Sequence, residues 1–194
     1  MIYIVTDIEC DGGTPGEHSM IAFASVAARE SGEILGAFEA VLAPLDGATR
    51  DPETMRWWSE RPDALAAATA DPRPPSRVMG DFVNWVKSQP EPCIFAAHPL
   101  AFDGRWIDFY LRRFTPYALV QGHYEADKLF AATGLCLRSY AAAILGRPVD
   151  ECDVGIYPPE WLGHHAHTHR AIDDALGYAS LLRTLFAIAK ARAS

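Results

Sequence analysis

An α/β fold built on a mixed sheet is predicted by three features of this 194-residue chain. Three strand-like runs follow one another at the front, separated only by turn residues. A short apolar run returns at Cys93. Helical patterns fill most of what lies between and after. An antiparallel three-strand meander, joined later by parallel strands and flanked by helices, satisfies that order.

Met1 to Val5 is an apolar run bounded by a polar, glycine-rich break at Asp11 to Glu17, and reads as a buried strand. Met20 to Ala28 and Glu33 to Ala43 read as the next two strands, with Arg29-Glu30-Ser31-Gly32 as the tight turn between them. Asp51-Pro52-Glu53 is a helix start: a capping aspartate, proline in the first turn, then an acid at the positive end of the dipole. That short helix carries Trp57 and Trp58. Pro62 and the run Asp71 to Pro75 interrupt the chain. Ser76 is placed to cap a further helix, in which Val78, Met79, Phe82, Val83, Trp85 and Val86 recur at helical spacing. Cys93 to Ala97 is a short buried strand. Phe102 to Phe114 is helical and limited by Pro116. Leu137 to Leu145 is a helix ended by Gly146. Asp150 to Thr168 is irregular, and Arg170 to Ala191 forms the last helix.

With 49% hydrophobic residues the chain can bury one sizeable core, and residues 1–194 are expected to form one domain. The net charge of −8 does not advertise the basic face of a protein that grips long duplex nucleic acid. The four cysteines, Cys10, Cys93, Cys136 and Cys152, form no C-x-x-C pair. No leader-like segment and no apolar run of about 20 residues is present. The expectation is a cytoplasmic protein with reduced thiols and no membrane partner.

Chemistry is carried by acids at the edges of these apolar segments. Asp7 and Glu9 are two apart in a strand, so both side chains face the same way and can reach one ion or a pair, while Ile8 between them faces the core. Two solvated acids at a strand end are the plain alternative. Asp103 opens a helix, where an acid also suits the dipole. In the last helix Ile172, Ala175, Leu176, Ala179, Leu182 and Phe186 form an apolar stripe at about 100° per residue. Asp173 falls nearly opposite that stripe and Asp174 at its border, so Asp174 is the better candidate for an interior site. His169, five residues earlier, belongs at the boundary of loop and helix, where it can lean over such a site. Acids gathered from distant segments suggest hard divalent ions held by oxygen. The cluster His164-His165-Ala166-His167-Thr168-His169 has no cysteine in ligand spacing, and reads as a loop that delivers His169 rather than as a zinc site. Adjacent Trp57 and Trp58 point about 100° apart, so one is expected to pack inward and one to lie nearer the surface, where it can stack on bases.

The set Asp7-x-Glu9, His98-x3-Phe102-Asp103 and His169-x4-Asp174 resembles the DEDD 3′-5′ exonucleases, in the subgroup with a histidine in the third motif. These include proofreading exonucleases, oligoribonuclease and ribonuclease T. Thr54-Met55-Arg56-Trp57-Trp58 looks like a feature of the exonuclease VIII-like branch and its exoribonuclease relatives. The resemblance spans residues 7 to 174. It implies a ribonuclease H-like fold. It implies that Asp7, Glu9, Asp103 and Asp174 hold two Mg2+ ions, for which Mn2+ can substitute, and that His169 is the general base. Cys10, His98, Phe102, Trp57 and Trp58 become candidates for substrate contact. The implied partners are nucleic acid 3′ ends, with short or single-stranded RNA favoured over single-stranded DNA, and a homodimer in which the aromatic helix Phe102–Phe114 supplies a face. An inactive end-binding or protein-binding domain is the non-enzymatic alternative. Two departures stand out: His98-Pro99-Leu100 replaces the His-Asn-Ala frequent in the family, and Cys10-Asp11-Gly12 replaces Thr-Thr-Gly.

Overall fold

The computed structural model describes residues 1–122 and 125–193. Strands β1 (Ile2–Cys10), β2 (Met20–Ala28) and β3 (Ile34–Val41) form the expected meander. Helices α1 (Pro52–Ser59), α2 (Pro62–Ala68) and α3 (Pro75–Lys87) follow, then strand β4 (Cys93–Ala97) and helix α4 (Leu100–Phe114). The remainder is β5 (Leu135–Cys136), α5 (Leu137–Leu145), three 3-10 turns between Val149 and Leu162, and α6 (Ala171–Ala193). The sheet order is β3-β2-β1-β4-β5. β1 pairs antiparallel with β2 and parallel with β4, so the sheet changes sense at β1.

Local chemistry accounts for the element ends. The turn between β2 and β3 closes through Gly32, whose φ of +91° suits a residue without Cβ. The Asp51 carboxylate accepts from the Thr54 amide at 2.7 Å and caps α1. Gly146 ends α5 in the left-handed conformation, φ +67°. Three readings change. Pro62 starts α2 instead of merely interrupting the chain, because proline at a first helical turn forfeits only an amide that would be unpaired there anyway. Ser76 lies inside α3, whose cap position is Pro74. The two-residue β5 was too short to carry a periodic signal.

Alternation along β1 divides the core. Ile2, Ile4 and Ile8 face one layer, where they join Met79, Phe82, Trp106, Ile107 and Tyr110 from α3 and α4. Tyr3 and Val5 face the other, against Ala175, Tyr178, Ala179 and Leu182 of α6. The Tyr110 hydroxyl accepts from the Met20 amide at 2.9 Å, pinning α4 to the start of β2. Trp106 and Tyr110 are fully buried, so the largest rings of α4 are spent on the core and are not available to a second copy of the chain.

The last helix departs from the expected stripe. Its buried residues include Ala171, Asp174, Ala175, Tyr178, Leu181, Leu182 and Leu185, whereas Ile172, Leu176 and Phe186 are only half-buried. A second layer explains this. Leu162 and Tyr157 from the irregular segment, with Ala141 and Ala142 of α5, cover Leu181 and Leu185. The helix is therefore buried on two sides, and Asp174 lies within the buried surface instead of at its border.

All four cysteines are free. Among the described residues, no helix is long and apolar enough to cross a membrane.

Candidate active site

On β1, the face that starts with Tyr3 and Val5 ends with Asp7 and Glu9. The alternation that buries two apolar residues against α6 thus aims two carboxylates at the N-terminal turn of that helix. Asp174 projects from that turn. Ligand oxygens of Asp7, Glu9 and Asp174 lie within 4.8 Å of one another, and all three residues are buried. Asp103 comes from the first turn of α4, beyond the carboxyl end of β4. It is 2% exposed, and its Oδ2 has no hydrogen-bond partner. This is where parallel strands meet the change of sheet sense, a usual place for ligands in open α/β sheets.

So much buried negative charge is costly without cations. Among the described residues no lysine or arginine pairs with any of the four acids; the one ion-pair partner is His167, whose Nδ1 lies 3.0 Å from Asp174 Oδ1. Burial, and then Asp103, Glu9 and Asp174, hold the Asp7 carboxyl well above the ordinary carboxylate range. Burial pushes Glu9 up to about 9, with Asp174 and Asp103 adding to the effect. Burial likewise pushes Asp103 up to about 8, although the backbone amide of Ile8 favours its charged form. The donor set is all oxygen, one oxygen is orphaned, and no protein cation sits among the acids. That arrangement fits hard divalent cations such as magnesium.

The irregular segment ends at His169, which takes the left-handed backbone conformation at φ +58°, an uncommon state for a non-glycine residue. Its ring packs against His167, centroids 4.4 Å apart, and edge-on against Trp57 at 4.8 Å. Burial and the neighbouring His167 lower its pKa below the ordinary histidine value, so the ring is neutral at neutral pH. The hydrogen bond to Asp174 raises that of His167.

Beside the acids runs a cleft of about 450 Å3, lined by Glu9, Cys10, Gly12, Gly13, Thr54, Trp57, Trp58 and Phe102 among others. Trp57 and Phe102 present exposed rings, 36% and 37% accessible. An arginine covers each: Arg61 lies 4.0 Å from the Trp57 ring centre, and Arg105 lies 5.1 Å from that of Phe102. Trp58 is buried, and its Nε1 donates to the Cys10 carbonyl at 2.9 Å, tying α1 to the end of β1. The Cys10 thiol is pushed up to about 12 by burial, and is not a nucleophile.

His98 is placed elsewhere than expected. It is buried, its Nε2 lies 3.2 Å from the Tyr157 hydroxyl, and its ring stacks on Tyr178 at 5.1 Å. It is absent from the cleft wall, and burial lowers its pKa to about 4. It braces the irregular segment and α6 against the end of β4. Sequence reasoning missed Arg61, Arg105 and His167. The i,i+4 spacing of Trp57 and Arg61 was a readable signal for the first. Nothing in the linear order marks His167 over its neighbours.

No protein family and no curated protein matches this chain. Solved structures do. The nuclease domain of 3′hExo, a DEDDh family member, bound to rAMP, is similar with a TM-score of 0.64 at 14% identity, over 95% of this chain and 90% of that one. A 3′-exonuclease in recognition of a histone mRNA stem-loop gives 0.63 at 13% identity, over 95% and 80%. The zinc-bound complex of E. coli ExoI with ssDNA gives 0.62 at 17% identity; it is matched over 97% of this chain, which spans about two fifths (40%) of that protein. The chain therefore has the ribonuclease H-like fold of the DEDDh exonucleases, as its motifs implied.

Proposed function

We propose that this protein is a metal-dependent 3′-5′ exonuclease acting on single-stranded ends, with RNA as its favoured substrate. The observation that carries the reading is the gathering of Asp7, Glu9 and Asp174, with ligand oxygens within 4.8 Å of one another and buried Asp103 near enough to act on the charges of Asp7 and Glu9, beside an aromatic cleft that Glu9 lines. The fold shared with nucleases bound to rAMP or ssDNA supports it. A module that only binds nucleic acid or protein has no use for four uncompensated buried acids.

The four acids would hold two divalent ions, magnesium by preference and manganese in its place. Ions bound there supply Lewis acidity toward the phosphate and lower the pKa of water. The chain's own residues do the rest. Trp57 and Phe102 offer faces for the terminal bases, and Arg61 and Arg105 beside them offer charge to the backbone, a combination suited to one strand without regard to sequence. The narrow reach of this local basic patch reconciles a nucleic acid substrate with an overall charge of −8. His169 takes the proton of the attacking water at its unprotonated ring nitrogen. The water oxygen bonds to phosphorus, the P–O3′ bond breaks, and the departing 3′ oxygen is protonated. A nucleoside 5′-monophosphate and a strand one residue shorter result. The preference for RNA rests on the branch to which Thr54 to Trp58 bears a likeness and on the acidic total.

End-labelled RNA and DNA oligomers digested with magnesium, with manganese and with chelator test the reading. The expected result is stepwise shortening from the 3′ end, abolished by chelator and by Asp174→Asn, and faster on RNA. Endonucleolytic fragments, or full activity in chelator, would sink it; faster digestion of DNA would overturn the substrate preference alone.

A further inference from the structure

We infer a second metal site, of nitrogen and oxygen donors, formed by His167, His169 and Asp174 and suited to Zn2+. Ligand atoms of these three residues lie within 4.8 Å of one another. His167 Nδ1 and Asp174 Oδ1 are 3.0 Å apart, near the separation of roughly 3.3 Å between two donors on a tetrahedral zinc with bonds of about 2.0 Å. The His169 ring, packed on that of His167, closes the set by a side-chain rotation. The histidine run has no cysteine in ligand spacing; the fold adds a carboxylate to two of its histidines from the first turn of α6.

The segment carrying the histidines is fastened over that turn. The Thr168 amide donates to Asp174 Oδ1 at 3.1 Å, and the Thr168 hydroxyl donates to Asp173 Oδ2 at 2.7 Å. His167 and His169 flank Thr168, and their rings meet with centroids 4.4 Å apart over this anchored link. Such outer hydrogen bonds orient metal ligands. Asp174 is buried while His167 is partly exposed, which leaves a route for an ion from solvent. Two imidazoles and one carboxylate favour zinc over magnesium, which prefers oxygen. The site is therefore distinct in chemistry from the all-oxygen cluster, and shares only Asp174 with it.

A consequence follows, resting on the role proposed above for His169. A ring nitrogen bonded to zinc has no lone pair left for a proton. Zinc here switches the enzyme off while magnesium still has Asp7, Glu9 and Asp103.

Calorimetric titration of the full chain with zinc chloride, in saturating magnesium, tests the site without reference to activity. The expected result is one zinc per chain, with affinity lowered by at least about tenfold in His167→Ala, the scale at which even outer partners of a metal ligand count. Asp7→Asn and His165→Ala keep the affinity of the wild type. Thermal melts confirm that each variant is folded; His167→Gln replaces His167→Ala if needed. No zinc uptake by the wild type, or equal uptake by the His167 variant, overturns the site. Loss of zinc uptake in Asp7→Asn but not in the His167 variant places the ion on the acids and also overturns it. Zinc inhibition of oligomer digestion, read as a ratio to each variant's own rate in magnesium, should weaken in His167→Ala. Binding without inhibition overturns the switch and leaves the site standing; a protein without nuclease activity that still binds zinc through His167 overturns the exonuclease reading alone.

Discussion

His169 has two neighbours that set its chemistry: Trp57 on the cleft side and His167 on the acid side. Burial and His167 already hold its pKa below 6.5, and cations on the adjacent acids push the same way. A base with a lowered pKa stays unprotonated to more acidic pH. With His169 as the proposed base, the rate in saturating metal should therefore hold its plateau to some way below pH 6.5 and fall only beneath the lowered pKa of that ring. His169→Ala should lower the rate by on the order of 10²–10⁴ and lose that acidic limb. A limb unchanged in the variant would assign the proton transfer to another group. The acids and His169 were readable as types and spacings, because alternation in a strand and phase in a helix are written in the linear order. His167 was not, since its contact with Asp174 depends on the path of an irregular segment.

Helix α1 connects sequence grammar to the cleft. Asp51 caps it, Pro52 starts it, Trp58 locks it to Cys10 at the end of β1, and Trp57 is thereby held out over the cleft. Asp51→Ala should cost about 1 kcal/mol of stability. It should also weaken binding of single-stranded oligomers, because Trp57 loses its footing; a fluorescence titration reads the second effect. Unaltered oligomer affinity in a destabilised variant would separate the cap from the cleft. The meander, α1 and most later helices were legible because each has its own turn, cap or period. The burial of α6 was not. Its period marks one apolar stripe, but the second cover comes from Tyr157 and Leu162, residues in a segment with no period of its own.

The molecule as a whole carries a debt of buried charge. The folded values of Asp7, Glu9 and Asp103 are all raised, while in the unfolded chain they return to about 4. Between about pH 4 and the folded values, about 8 for Asp103 and about 9 for Glu9, the native chain binds more protons than the unfolded one. Stability of the metal-free protein therefore falls as pH rises through that window. Chelator-treated protein should melt at a lower temperature near pH 8 than near pH 5.5. Magnesium should recover more of the loss at the higher pH, because it binds the deprotonated acids and only the folded state assembles them. A Tm indifferent to magnesium at both pH values would mean that the acids do not act as a metal site.

The pocket takes two of its acids from β1, one from α4 and one from the start of α6, so its parts span residues 7 to 174. A nascent chain leaving the ribosome thus lacks one of the four acids until residue 174 has been made. Until then the set of carboxylates is incomplete, and the order of synthesis alone sets when the pocket can assemble.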